Sequence, residues 1–322
     1  MNVSYFDFIG ASLLSFVLAV LLLPKAIPLL HRLKFGQEVR EDGPQAHLKK
    51  QGTPTMGGIV FILTILVVGL LFSLKYPRIL PVLFLTVGFG VVGFVDDYLK
   101  VVKHQSEGFK PKQKFVCQLI LTLLFAFYLY LSPDYSCEMQ IPFTGIHLQL
   151  GILYIPAVLF IVTATDNGCN FTDGLDGLCS SVTAVIAVFL GLVSLYFEGG
   201  ALAPVCGAVL GSLLGFLCFN SYPAKLFMGD TGSLALGGFV SAAALEMNIP
   251  LFIPIFAIIY LIEVLSVIIQ VTYFKKTHGK RIFRMAPIHH HFELGGWSET
   301  RIVTVFTAVT LLLCMLAFAG IR

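Results

Sequence analysis

Ten apolar stretches, at about 6–30, 57–74, 79–95, 115–131, 148–165, 178–197, 201–219, 231–245, 249–274 and 302–321, leave this chain few ways to fold. A helix needs about 20 apolar residues to cross bilayer hydrocarbon, so ten crossings use roughly 200 of the 322 residues and leave about 120 for connections. That is too little for a separate water-soluble domain. Charged residues make up 12% of the chain, half the usual share of roughly 25%. The mean hydropathy is +0.88. The expected fold class is all-α: a polytopic integral membrane protein with about ten transmembrane helices, forming a single domain over 1–322. Soluble enzymes, disordered tails and secreted disulfide scaffolds are excluded. The first stretch is not expected to be a cleaved signal peptide, since no basic residue precedes it and Pro24-Lys25 follows within it. The seven cysteines fall singly, without a CxxC pair, and read as small buried hydrophobes.

Basic residues set the orientation. Of 21 Lys and Arg, all but Lys75, Arg78 and Arg322 fall in 31–56, 96–114, 220–230 and 275–301 or at Lys25. Those segments are therefore expected in the cytoplasm and both termini on the extracytoplasmic side. The same loops are rich in acids, where an anchor for anionic lipid would need only the cations. Mixed Asp and Lys at helix ends point instead to a site for a metal and phosphates, built from 31–56, 96–114, 166–177, 220–232 and 275–301.

The third stretch ends in Asp96-Asp97. On a continuing helix Asp96, Lys100 and Lys103 share one face, and Asp97, Lys100 and His104 a neighbouring stripe. A salt-bridged helix end would look the same, so the pair is only suggestive by itself. The segment DNGCNFTDGLDG at 166–177 reads as a loop carrying Asp166, Asn167, Asn170, Asp173 and Asp176 with no basic residue of its own. Its spacing is not that of an EF-hand; carboxylates so placed call for cations or a hydroxyl-rich ligand. FMGDTGS at 227–233 sets Asp230 between glycines before an apolar helix that Thr231 or Ser233 could cap. The start of such a helix suits a phosphate, and Asp230 beside it suits a hard cation.

Glu263, Ser266 and Gln270 form a polar stripe on the ninth apolar stretch, which reads either as a functional face or as interhelical hydrogen bonding. His289, His290 and His291 are consecutive; on a helix they project about 100° apart and cannot grip one ion. Phosphate contacts or acid–base work suit them better. HLKKQGTPTMGG at 47–58 adds Lys49, Lys50 and paired glycines to the same side.

Together TPTMGG, DDYLK, NFTDGLDGL, FMGDTGSLALGG and MAPIHHHFE with GWSE, spanning about Arg40 to Glu299, resemble the bacterial phospho-N-acetylmuramoyl-pentapeptide transferases. The resemblance implies transfer of phospho-MurNAc-pentapeptide from UDP-MurNAc-pentapeptide to undecaprenyl phosphate, forming lipid I and UMP, in the bacterial cytoplasmic membrane. It implies Mg²⁺ as cofactor, commonly a homodimer, and no nucleic-acid partner. Asp230 matches the Mg²⁺ ligand, with Asn170 as a second. Asp96 and Asp97 match an essential pair near the lipid phosphate, and with Asp230 and His289 they make up the catalytic set. Lys100 and Lys112 are matched as phosphate contacts. Lys50, Thr55, Asn170, Asp173, Asp176, Asn220, Phe227, Gln270, His289, His290 and His291 match positions around the nucleotide-sugar pocket, Phe227 stacking on uracil. Gly168-Cys169 departs from the Ala-Val usual there.

For such a reaction direct attack of one phosphate on the other substrate's diphosphate is favoured over a covalent phospho-enzyme. A phosphate monoester, with a second pKa of about 6, is already mostly dianionic at neutral pH and needs little help from a base. A polyprenyl-phosphate GlcNAc-1-phosphate transferase is the nearest alternative, disfavoured by the triple histidine and GWSE. A secondary transporter would place its polar residues near the midplane in two related halves, and neither is visible.

Overall fold

A computed structural model describes residues 2–32, 50, 52–101, 109–132 and 137–321. Lys49, Lys103 and His104 lie outside the described residues, as does most of the 31–56 segment. A helix occupies each of the ten apolar stretches: α1 (Asn2–Arg32), α2 (Gly58–Ser73), α3 (Ile79–Val101), α4 (Pro111–Leu131), α5 (Tyr154–Thr172), α6 (Leu178–Phe197), α7 (Ala203–Asn220), α8 (Gly229–Glu246), α10 (Ile258–Lys276) and α12 (Glu299–Gly320). Two short helices, α9 (Ile253–Phe256) and α11 (Ile288–Glu293), two 3₁₀ turns at Gly151–Leu153 and Pro250–Phe252, and one two-stranded antiparallel hairpin, β1 (Glu138–Gln140) with β2 (His147–Gln149), complete the described elements.

Among the described residues, eight helices are long and apolar enough to cross a membrane by length and composition. This is a multi-pass membrane protein. The two stretches outside the eight have different reasons. Helix α2 is apolar but short, with 16 residues. Helix α8 is the innermost element: every residue from Thr231 to Glu246 is buried. A helix walled by other helices meets no lipid, so glycine, alanine and serine can replace bulky side chains and let its neighbours close in.

Such close approach recurs. A Cβ on Gly211 of α7 would lie 1.9 Å from the Ser12 carbonyl oxygen of α1, and one on Gly93 of α3 would lie 2.1 Å from that of Asp230 on α8. Helix α3 therefore runs backbone to backbone against the start of α8. The ninth stretch, expected as one span over 249–274, is broken: a 3₁₀ turn at Pro250–Phe252 and α9 precede a bend at Ala257, after which α10 begins. Pro250 and Pro254 remove N–H groups that a continuous helix would use. At the end of the bundle away from the acid-rich loops, Arg78 pairs with Glu198 at 2.9 Å and with the buried Glu246 at 3.4 Å.

Candidate active site

Four helix ends meet around Asp230: the last turns of α3 and α5 and the first turns of α4 and α8. Asp230 Oδ2 accepts from Lys100 Nζ at 3.0 Å and Lys114 Nζ at 2.9 Å, and its Oδ1 accepts from Asn170 Nδ2 at 2.9 Å. Asp96 Oδ2 takes the same two ammonium groups at 2.8 and 3.3 Å, while its Oδ1 accepts the Phe109 N–H at 2.8 Å. Two carboxylates on different helices thus share two lysines.

Asp97 has a different task. Its Oδ1 accepts the backbone N–H of Asp230 at 3.1 Å, and its Oδ2 accepts the N–H and the hydroxyl of Thr231 at 2.8 and 2.6 Å. The first N–H groups of a helix have no partner within it, and a carboxylate there is stabilising. Asp97 of α3 therefore caps α8. Consecutive helical residues project about 100° apart, so the two halves of the pair serve different neighbours. The cap expected from Thr231 or Ser233 is not formed: Thr231 donates to Asp97, and Ser233 donates to the Gly229 carbonyl while accepting from Asn170.

Lys114 was not among the residues singled out from the sequence; Lys112 was. Lys112 is exposed on the outer side of α4, and Lys114 turns inward. The signal was present: Lys114, Gln118 and Thr122 repeat every four residues, a polar stripe on an apolar helix, and the latter two are buried.

The 166–177 segment is not a loop throughout. Helix α5 runs to Thr172, so Asp166, Asn167 and Asn170 sit on its last turns, where Asn167 Nδ2 and Thr172 Oγ1 donate to the carbonyls of Thr163 and Gly168. Asp166 is buried and accepts from Gln118. Asp173 and Asp176 occupy the turn before α6 and do not share a helical face. Burial, then the charges of Asp230, Asp97 and Asp176, hold the Asp173 carboxyl well above the usual carboxylate range. Asp176 does have a cation, from far away in the chain: Lys50 Nζ lies 2.7 Å from its Oδ1 and 2.6 Å from Glu299 Oε2. Burial opposes the Lys50 charge, but hydrogen bonds to Asp176 and Glu299 outweigh it and raise its pKa. Glu299 opens α12 and is the last residue of the GWSE run.

The remaining residues frame this centre. Phe227 N–H donates to Pro54 O at 2.9 Å and the Gly57 N–H to Phe227 O at 2.8 Å, laying 54–58 against 227–228. Thr55 is buried beside Gly229. Asn220 Nδ2 donates to Leu226 O at 2.9 Å and its Oδ1 accepts from Ser180 at 3.0 Å, fixing the turn that leads to Phe227. Gln270 Oε1 accepts the N–H groups of Ile282 and Phe283, each at 3.0 Å. The three imidazoles have separate partners: His289 Nδ1 meets Glu263 Oε2 at 3.0 Å, His290 Nδ1 meets Glu293 Oε2 at 2.7 Å, and His291 Nδ1 accepts the Arg284 N–H at 3.1 Å.

Comparison with known proteins decides the family. The model for glycosyl transferase family 4 matches residues 79–248, and that for phospho-N-acetylmuramoyl-pentapeptide-transferase signature 1 matches 50–62. A phospho-N-acetylmuramoyl-pentapeptide-transferase of Clostridium perfringens is 49% identical over 312 residues, covering 97% of this chain and 96% of its own. One from Acetivibrio thermocellus is 48% identical over 313 residues, with 96% and 94% covered. One from Clostridium kluyveri is 47% identical over 317 residues, with 98% and 100% covered. The chain belongs to the phospho-N-acetylmuramoyl-pentapeptide-transferase family. All three organisms are bacteria, and a transferase of this kind is a phosphotransferase, a class that generally uses a divalent metal.

In this transferase the donor set around Asp230 fits such a metal. Among the described residues no group of three or more His, Cys, Asp or Glu side chains forms a ready metal cage. Mg²⁺ does not demand one, since one or two carboxylates plus substrate phosphates suffice. The groups at hand include the oxygen donors such an ion takes: the Asp230 carboxylate, with the Asn170 side-chain amide against it and the Asp96 carboxylate sharing its two lysines.

Proposed function

We propose that this chain transfers phospho-MurNAc-pentapeptide from UDP-MurNAc-pentapeptide to undecaprenyl phosphate, giving lipid I and UMP, at the cytoplasmic face of the bacterial plasma membrane. The observation that carries this reading is the sharing of Lys100 and Lys114 between Asp96 and Asp230, within a chain of this family. In this reading the ten helices all cross the membrane, both termini face outward, residues 1–322 form one catalytic domain, and two copies pair as a homodimer.

Asp230 and Asn170 would hold Mg²⁺, which would neutralise charge on the donor diphosphate. As placed, Asn170 presents Nδ2 to Asp230; turning its amide over would present Oδ1 beside the Asp230 carboxylate. Lys100 and Lys114 would offer their remaining N–H groups to phosphate oxygens, and Asp96 holds both ammonium groups in place. The lipid phosphate oxygen forms a bond to the sugar-bearing phosphorus of the donor, and the bond from that phosphorus to the bridging oxygen breaks to release UMP. A dianionic nucleophile yields a dianionic leaving group, so no net proton has to move. Catalysis reduces to placement and charge neutralisation. A groove along α10, lined by Val267, Val271, Phe274, Lys275 and Arg281, combines apolar surface with two cations, as a prenyl phosphate requires.

The test is UMP release by the purified full chain in detergent. Release is expected to require UDP-MurNAc-pentapeptide, undecaprenyl phosphate and Mg²⁺ together, to stop with chelator, and to be lost in Asp230→Asn. Release without the lipid acceptor would overturn direct attack. Release from UDP-GlcNAc alone would overturn the donor assignment.

A further inference from the structure

Glu263 is a carboxylate in the interior of α10, 0% exposed, that the transfer reading leaves without a task. The cost of burying an ionised carboxylate is large unless it is paired. Its partner is His289, itself 1% exposed, whose Nδ1 lies 3.0 Å from Glu263 Oε2. A carboxylate only accepts hydrogen bonds, so the hydrogen of this contact is carried by His289 Nδ1. An Nδ1–H directed at the carboxylate fixes both the ring plane and the protonation pattern of the imidazole.

The other edge of the ring faces the centre. His289 Nε2 has no hydrogen-bond partner among the described residues. A Cβ built on Gly174 would lie 2.2 Å from Nε2 and 2.4 Å from Cε1, so the ring edge is seated against the backbone next to Asp173. One helix sets this arrangement from two points. Gln270, two turns along the same face as Glu263, clasps the backbone at Ile282 and Phe283 where the histidine segment begins. Ser266, between them, donates to the Glu263 carbonyl oxygen.

We propose that Glu263 is a positioning residue for the transfer: through Nδ1 it holds the His289 ring so that Nε2 is presented at the Asp173–Gly174 turn of the active site. The proposal rests on the transferase reading for its kinetic test, while its spectroscopic test stands apart. A side chain that orients another without touching substrate should change kcat and leave donor binding nearly intact.

The first experiment is the ¹⁵N spectrum of histidine-labelled full chain in detergent, with His289 assigned by its loss in His289→Gln. The His289 Nδ1 resonance is expected to be that of a protonated nitrogen; an unprotonated Nδ1 in the wild-type chain overturns the proposal, whatever the enzyme does. The second is kinetic. Glu263→Gln, which keeps the shape and loses the charge, is expected to lower kcat about 10- to 100-fold, as loss of a group orienting a functional His does elsewhere, with donor KM within about threefold. In a His289→Gln background the same change is expected to cost almost nothing further. A multiplicative loss in the double variant, or a rise in KM with kcat unchanged, overturns it. Should Glu263→Gln fail to elute as a folded species, Glu263→Asp serves the same cycle. Absence of UMP release by the wild type would count against the transferase reading alone.

Discussion

Lys114 Nζ lies 2.9 Å from Asp230 Oδ2, joining the first turn of α4 to the first turn of α8 although 116 residues separate them. Lys112, a turn-mate on the exposed side, makes no such contact among the described residues. Lys114→Gln leaves Asp96 and Asp230 with Lys100 alone to balance them and removes one of two cations available to a diphosphate. Loss of one preorganised charge contact costs about 10²- to 10³-fold. UMP release should fall by about 100-fold in Lys114→Gln and by clearly less in Lys112→Gln. Equal losses in the two variants would mean that the site is not centred on Lys114.

Asp97 spends both oxygens on the start of α8, which argues against it as a general base. Asp97→Asn should therefore slow the reaction by a factor that does not shrink as pH rises from about 6 to 9. The rate of wild type and variant across that range decides the matter. A loss that shrinks steadily as pH rises would assign Asp97 to proton transfer instead. Thr231→Val removes the hydroxyl donor to the same carboxylate and should cost about 1–2 kcal/mol of stability.

The helices were legible because apolar length survives any arrangement of the bundle. Asp96 with Lys100 was legible too, since positions four apart on a helix meet. What periodicity could not reveal was anything joining distant segments. Lys50 reaches Asp176 across 126 positions and Glu299 across 249, and no local pattern encodes such a meeting. The end of α5 was misplaced for a related reason. Asn and Asp ordinarily favour loops because their side chains compete for the backbone, yet in α5 the Asn167 amide returns to a helical carbonyl and Asn170 is held by α8.

The Lys50 clasp can be tested by stability. Lys50→Met leaves the buried carboxylates of Asp176 and Glu299 facing each other without a cation. Removing one partner of a buried pair costs about 3–5 kcal/mol, so the thermal midpoint in detergent should drop, and Lys50→Met with Glu299→Gln should recover part of the loss. The pH dependence has a definite sign. With the folded pKa of Lys50 raised from 10.5, its contribution is complete below that value and is lost as pH climbs through the folded one. A Lys50→Met midpoint equal to wild type would show that the clasp contributes nothing.

The contact that most directly sets the site is Gly93 against Asp230. A Cβ on Gly93 would lie 2.1 Å from the Asp230 carbonyl oxygen and 2.4 Å from its carbon. Both are backbone atoms and cannot swing aside as a side-chain tip would, so a methyl group must push the start of α8 away from α3. Asp230 would then move relative to Lys100 on α3 and Asn170 on α5. Misplacement by about 1 Å can cost 10²-fold in rate. Gly93→Ala should accordingly lose about 100-fold or more of UMP release while still eluting as a folded species. Gly10 is the matched control: it is helical, and nothing lies within 4 Å of a Cβ added there. Alanine is favoured over glycine in a helix by about 1 kcal/mol, so Gly10→Ala should keep full activity with an equal or higher midpoint. Wild-type turnover in Gly93→Ala would mean that the spacing of α3 and α8 does not govern where Asp230 sits.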